Sequence, residues 1–133
     1  MQVNSYLIFN GQCEEALNFY KSVFGGEAML NRYEGSPMPF PPEYKNKILH
    51  ATWQFEGNTV MLCDTVPGSA YKEGNNFSLF VNIPQVITMD GLFQKLSQGG
   101  TITMPLQDTF WGARFGTIRD KYGVNWMFNC DLN

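Results

Sequence analysis

Phe19-Tyr20-Lys21-Ser22-Val23-Phe24-Gly25-Gly26-Glu27-Ala28-Met29-Leu30 returns later in the chain as Phe93-Gln94-Lys95-Leu96-Ser97-Gln98-Gly99-Gly100-Thr101-Ile102-Thr103-Met104, with Gly99 standing 74 residues after Gly25. The echo extends outward in both directions. Upstream, the apolar run Tyr6 to Phe9 meets Phe80 to Ile83 at the same offset. Downstream, Gly57-Asn58-Thr59-Val60-Met61-Leu62-Cys63 aligns with Gly123-Val124-Asn125-Trp126-Met127-Phe128-Asn129 at an offset of 66, because the first half holds eight more residues in a Pro-rich loop. A repeat of this length is the mark of a supersecondary unit built twice.

Each copy reads the same way locally. Val3 to Phe9 is a short β-branched and apolar run closed by the turn signal Asn10-Gly11. Glu14-Glu15 then open a helix, where the macrodipole favours acids, with apolar residues at Ala16, Leu17, Phe19, Tyr20, Val23 and Phe24 and a stop at Gly25-Gly26. Ala28 to Tyr33 is a predicted strand. Glu34 to Asn46 contains Pro37, Pro39, Pro41 and Pro42, which neither a helix nor a central strand accommodates, so this is a long irregular segment with the character of a lid or binding loop. Ile48 to Phe55 and Thr59 to Cys63 form a hairpin through Glu56-Gly57-Asn58. In the second copy Phe77 to Ile83 is a strand and Thr88 to Gln98 a helix capped at Thr88 or Asp90. Three strands follow at Ile102 to Gln107, Ala113 to Arg119 and Asn125 to Cys130, the last two joined by a turn at Asp120 to Gly123. The expected class is α+β, two tandem βαβββ modules of about 1–66 and 75–133 within a single domain spanning 1–133.

Composition narrows the function. At 133 residues the chain can bury a core without disulfide or metal staples. Three Trp, six Tyr and eleven Phe exceed what a core of this size requires, which points to a cavity or interface walled by rings. A net charge of −3 with nine scattered basic residues lacks the basic stripe that phosphate backbones demand, so no nucleic-acid partner is expected. No run approaches a membrane span, and Met1-Gln2-Val3-Asn4 has neither a basic nor a hydrophobic region, so no membrane partner and a cytoplasmic location are expected. Cys13, Cys63 and Cys130 read as reduced structural thiols. Of these, Cys13 at a helix start has a route to a lowered pKa.

Tyr6-Leu7-Ile8-Phe9-Asn10-Gly11-Gln12-Cys13-Glu14-Glu15-Ala16 running into Phe19-Tyr20 is one group of signature residues. Others are Ile48-Leu49-His50-Ala51, Met61-Leu62-Cys63-Asp64, Phe110-Trp111-Gly112-Ala113 leading to Phe115-Gly116, Asp120-Lys121-Tyr122-Gly123-Val124, and Trp126-Met127. In this order and spacing they resemble the PhnB-like proteins of the vicinal oxygen chelate superfamily, which includes glyoxalase I, bleomycin resistance proteins and ring-cleaving dioxygenases. The resemblance implies that each module's sheet curls into half a barrel around a cavity, a small-molecule ligand, and a homodimer. PhnB-like domains also carry the label 3-demethylubiquinone 3-methyltransferase-like. Here Gly25-Gly26-Glu27 ends a helix instead of opening one, and no Gly-rich strand-to-helix loop of the kind that cradles a methyl-donor nucleotide is present.

Metal-dependent members of that superfamily take His and Glu ligands from the first and last strands of each module. The corresponding positions here fall among Ser5, Tyr6 and Leu7; Asn76, Phe77 and Ser78; Leu62, Cys63 and Asp64; and Trp126, Met127 and Phe128. Only Asp64, with Cys63 a doubtful second, has ligand chemistry, and one carboxylate does not hold a transition ion against water. No metal and no cofactor are therefore expected. His50, the one imidazole, and Asp64 are the candidate acid and base of a metal-independent lyase or isomerase, provided that both face one pocket. Trp53, Trp111 and Trp126 are candidate ligand-stacking walls, and Arg114 beside Trp111 is a candidate fork for a carboxylate. For each of these, core packing or a surface ion pair is the alternative. No G-x-S-x-G or other nucleophile signature is present.

Overall fold

The computed structural model describes residues 1–133 and divides into two compact units, Met1–Lys72 and Glu73–Asn133. The first runs β1 (Ser5–Phe9), α1 (Cys13–Phe24), β2 (Glu27–Arg32), β3 (Ile48–Phe55) and β4 (Asn58–Asp64). The second runs β5 (Leu79–Asn82), α2 (Val86–Leu96), β6 (Thr101–Asp108), β7 (Ala113–Arg119) and β8 (Asn125–Asp131). Both are β-α-β-β-β, as the repeat requires. The sheets are four-stranded and open, ordered β1-β4-β3-β2 and β5-β8-β7-β6, with the first strand parallel to the last and the other pairs antiparallel.

The sequence offsets reappear as hydrogen-bond register. In the first unit Ser5 pairs with Val60 and Tyr6 with Met61; in the second Leu79 pairs with Trp126 and Phe80 with Met127. Thr52 and Thr117 flank the same two methionines on the neighbouring strand. Because a one-residue slip would turn every side chain to the other face, this agreement means that both units bury equivalent positions.

In the first unit α1 covers one face of its sheet. Cys13, Ala16, Leu17, Tyr20 and Val23 are buried against Leu7 and Phe9 of β1, Ala51 and Trp53 of β3, and Val60 and Leu62 of β4. Tyr20 stacks on Trp53 with centroids 5.8 Å apart, and Trp53 stacks on Phe55 at 4.0 Å. The helix ends as expected at Gly25 (φ 81°), whose N–H donates to the Lys21 carbonyl at 2.8 Å. Its own carbonyl receives the Trp53 indole N–H at 2.9 Å. The five large strand side chains among these, Leu7, Phe9, Trp53, Val60 and Leu62, at about 1.5–3 kcal/mol each, are roughly the burial that holds such a layer.

In the second unit Met89, Phe93 and Leu96 of α2 are buried, as are Ile118, Trp126 and Phe128 of the sheet beneath. The Phe93 and Phe128 rings meet edge to face at 5.4 Å. Here one expectation needs correcting: α2 begins at Val86, with Gln85 at the cap and no side-chain cap bond, so Thr88 and Asp90 lie within the helix. Apolar Val86 and Ile87 extend the turn past the polar residues that looked like its start. The Pro-rich segment also differs from a free lid. Tyr33 is 1% exposed and meets Phe40 and Tyr44 at 5.9 and 5.2 Å, and a single 3-10 turn at Pro42–Tyr44 brings the Tyr44 hydroxyl to the Thr65 carbonyl at 2.9 Å.

Candidate functional site

Side chains alternate across a strand, so residues that do not face α1 face the open side of the first sheet. Tyr6 and Ile8 are 45% and 54% exposed there, and Met61, Cys63, Thr52 and His50 share that side. The Tyr6 hydroxyl lies 2.9 Å from His50 Nδ1, and Thr52 Oγ1 lies 3.3 Å from His50 Nε2. Burial of the phenol, with Cys63 beside it, pushes Tyr6 up to about 12. Tyr6 therefore keeps its proton, and its hydroxyl and that of Thr52 hold the His50 ring between them, with the donor on each side set by the ring's tautomer. Burial likewise raises the Cys63 thiol, so the row carries no thiolate.

The sheet is irregular beside this row. Asn31 pairs with His50 but Arg32 pairs with Ile48, which leaves Leu49 as the extra residue of a β-bulge. Ile48 is 0% exposed, whereas Leu49 and His50 are both partly exposed, so the bulge breaks the alternation and turns two consecutive side chains out of the core. A cleft of about 410 Å³ forms at that point, lined by Leu30, Asn31, Glu34, Ser36, Leu49 and His50, with Arg32 in its wall.

The proposed partner of His50 is elsewhere. Asp64 is 1% exposed on the α1 side of β4, and its carboxylate accepts the Cys13 N–H at 2.9 Å and the Ile48 N–H at 2.8 Å. His50 and Asp64 thus occupy opposite faces, and the proton-transfer pair is not brought together. Asp64 instead ties the start of α1 to the start of β3, where the helix dipole favours its charge. The same carboxylate, second to burial itself, pushes the Cys13 thiol well above its ordinary range, the reverse of the lowering expected for a helix-start cysteine.

The aromatic candidates separate similarly. Trp53 and Trp126 are 0% and 2% exposed, on the helix sides of their sheets, so both are core residues and not walls of an open site. The Trp126 indole donates to Asp120 Oδ2 at 2.8 Å, while Asp120 Oδ1 accepts the Tyr122 and Val124 N–H groups and closes the β7–β8 turn as the sequence led one to expect. Trp111 is 59% exposed and meets Phe115 on the open side of β7 at 6.3 Å. Arg114 follows the opposite direction, to Asp108 at 2.9 Å and to Asp90 of α2 at 3.3 Å. Trp111 and Arg114 therefore do not form one carboxylate grip, and the surface ion pair is the reading that holds. No group of three or more His, Cys, Asp or Glu side chains is placed to hold a metal ion, and no helix is long and apolar enough to cross a membrane.

Sequence reasoning missed Tyr6, Thr52, Asn31 and Ser36. The first two carry a partial signal, since alternation puts Tyr6 and Thr52 on the faces of their strands opposite Leu7 and Trp53, while the register of the strands alone brings them to either side of Met61. The bulge that adds Leu49, Asn31 and Ser36 has no local signature.

Residues 1–128 match the family described as 3-demethylubiquinone-9 3-methyltransferase. Protein YjdN of Escherichia coli K12 is 33% identical over 144 aligned residues, covering 97% of this chain and 95% of YjdN. The crystal structure of PA1353 from Pseudomonas aeruginosa is 35% identical with a TM-score of 0.88, over 100% of this chain and 99% of that one. The PhnB protein from Bacillus cereus is 31% identical with a TM-score of 0.81, over 98% and 99%. Neighbours at 13–19% identity, named as glyoxalase-related or glyoxalase/bleomycin resistance/dioxygenase proteins, share the fold. The doubled βαβββ topology and the match over nearly its whole length make this chain a PhnB-like member of the 3-demethylubiquinone-9 3-methyltransferase family, with the fold that the glyoxalase/bleomycin resistance/dioxygenase neighbours share.

Proposed function

We propose that this protein binds a small molecule at the His50 end of the first unit's open sheet face, where the Tyr6–His50 pair meets the bulge cleft, and that side chains hold the ligand without a protein-bound metal. The observation that carries the reading is the hydrogen bond from Tyr6 to His50 Nδ1 at 2.9 Å beside a cleft of about 410 Å³. A partly exposed imidazole whose ring is oriented by Tyr6 and Thr52 is a directional hydrogen-bonding group, and a cleft with a few apolar and polar side chains is the usual form of a small-molecule site. His50 and Cys63 on that face and Glu34 in the cleft do not come together as a group of three or more ligating side chains, which favours direct recognition over ion-mediated recognition. The methyl transfer in the family's description finds no nucleotide cradle, since Gly25 closes a helix.

The test is a thermal-shift and NMR panel of small acids, amines, alcohols and quinones, with S-adenosylmethionine alongside. A ligand at about 100 times its Kd adds roughly 2.7 kcal/mol to stability. Such a shift should be reduced to near zero in His50→Phe, and S-adenosylmethionine should produce none. A ligand that stabilises His50→Phe as strongly as the parent protein would place the site elsewhere.

A further inference from the structure

The open face of the first sheet sets a thiol beside an imidazole. We infer that Cys63 is a nucleophile that adds to a small α,β-unsaturated carbonyl compound, its proton taken by His50 through the Tyr6 hydroxyl. This rests on the site proposed above and adds a reaction and a substrate class to it.

Three strands bring the groups together. Ala51 of β3 pairs with Leu62 of β4, so the next antiparallel step sets His50 across from Cys63, at the roughly 4.5–5.5 Å Cβ spacing of such neighbours. Tyr6 of β1 hydrogen-bonds His50 Nδ1 at 2.9 Å, and the same hydroxyl is in hydrogen-bonding contact with the Cys63 thiol. Thr52 Oγ1 holds the other ring nitrogen at 3.3 Å. A nucleophile in reach of a base that a further group orients is the usual arrangement for activating a weak nucleophile. Of the three cysteines only Cys63 is partly open to solvent, since Cys13 and Cys130 are buried. Burial holds both the thiol and the phenol above their ordinary values, so both keep their protons at rest, and the thiolate forms only as the proton moves.

The step balances with no further reactant. The Cys63 S–H gives its proton to the Tyr6 oxygen as the Tyr6 O–H gives its own to Nδ1. Sulfur bonds the β-carbon, the C=C electron pair moves onto the carbonyl oxygen, and Nε2–H returns a proton to the α-carbon of the enolate. The product is a saturated thioether that keeps every atom of the enone, and His50 regains its starting tautomer by exchange with water. Acyl transfer fits less well. Because β4 lies between β1 and β3, its N–H groups are taken up in the two ladders, and no backbone pair is free to hold a tetrahedral oxyanion. In an enolate the charge sits instead on an oxygen away from the attacked carbon, where the imidazolium and the Thr52 hydroxyl are the donors on that face. Ile8, paired with Cys63 on β1 and 54% exposed, and Met61, two residues before it, offer apolar surface to the carbon skeleton.

The probe is conjugated cyclohexenone at neutral pH, with adducts followed site by site by peptide mass spectrometry. Cys63 should gain the whole mass of the enone at least about tenfold faster than N-acetylcysteine does, while Cys13 and Cys130 stay unmodified. Tyr6→Phe and His50→Gln should each slow the addition about tenfold or more. The double variant should be no slower than the slower single one, because the two groups act as one relay. Labelling confined to Cys63 shows that a variant is still folded, since unfolding opens all three thiols. Unchanged rates in both variants, losses that multiply in the double variant, or an addition no faster than the free thiol's would each overturn the nucleophile. A panel compound whose binding still depends on His50 would then leave the binding site standing; with no such compound, both fall together.

Discussion

The two units carry the same strand register and different chemistry on their open faces. Tyr6 and Phe80 pair with equivalent methionines, Met61 and Met127, which Thr52 and Thr117 flank on the other side. Cys63 corresponds to Asn129 by the same offset. His50 precedes Ala51 and Phe115 precedes Gly116, and Ala51 and Gly116 pair with the equivalent residues Leu62 and Phe128. Thus the phenol, imidazole and thiol of the first unit stand where the second has a phenyl ring, another phenyl ring and an amide. Topology survives such exchanges because it depends on the buried face, whereas a binding site depends on the exposed one. The buried carboxylates differ too: Asp64 joins a helix start to a strand start, while Asp120 closes a hairpin and receives an indole.

The sharpest way to break this contrast is at those carboxylates. Asp64→Asn loses charge-assisted acceptance of two buried N–H groups and should cost about 2–3 kcal/mol, seen as a fall of roughly 10 °C in melting temperature. Asp120→Asn should do comparable damage; a cost below 0.5 kcal/mol at either, on the scale of an exposed substitution, would mean that these anchors are incidental. Next is Tyr6→Phe, which gives the first unit the second unit's residue. It should cost about 0.5–1.5 kcal/mol and release the His50 tautomer, read as a mixture of Nδ1–H and Nε2–H forms in long-range ¹⁵N correlation spectra. An unchanged spectrum would show that Tyr6 does not set the ring.

The hairpin turns offer a gain instead of a loss. Glu56 sits at φ 45°, the one non-glycine residue with a positive φ, just before Gly57 at φ 78°, whereas the second unit's turn has a positive φ only at the matching Gly123, φ 87°. Glu56→Asn should stabilise by about 0.5–1 kcal/mol in chemical denaturation, since Asn tolerates that conformation better. The smallest effect belongs to Glu14, whose carboxyl the Arg32 fork holds below its ordinary value. Stability from a lowered carboxyl is present above the unfolded value of about 4.3 and is lost as pH falls through the folded one. Glu14 is 41% exposed, so Glu14→Gln should flatten the acid limb of the stability curve by well under 1 kcal/mol.

Much of the fold was legible because burial is written into the sequence twice. The repeat at Phe19 and Phe93 located both helices, and β3 and β7 were read at their observed limits, Ile48–Phe55 and Ala113–Arg119. Errors gathered at element ends, as at α2, where an apolar first turn hid the start. The site was less legible. His50 was identified by residue type alone, and its supposed partner Asp64 was assigned by proximity in the chain to an apolar strand end.

By itself the sequence determined the doubled topology and the helix-facing residues, because alternation and periodicity are local properties. Only the tertiary structure decided which candidates meet. A single bulge at Leu49 changes which side of the sheet a residue occupies, and the pairing of β1 with β4 carries Tyr6 to within hydrogen-bonding distance of a histidine 44 residues away. Such proximity arises from the register of distant strands, and no local stretch of the chain records it.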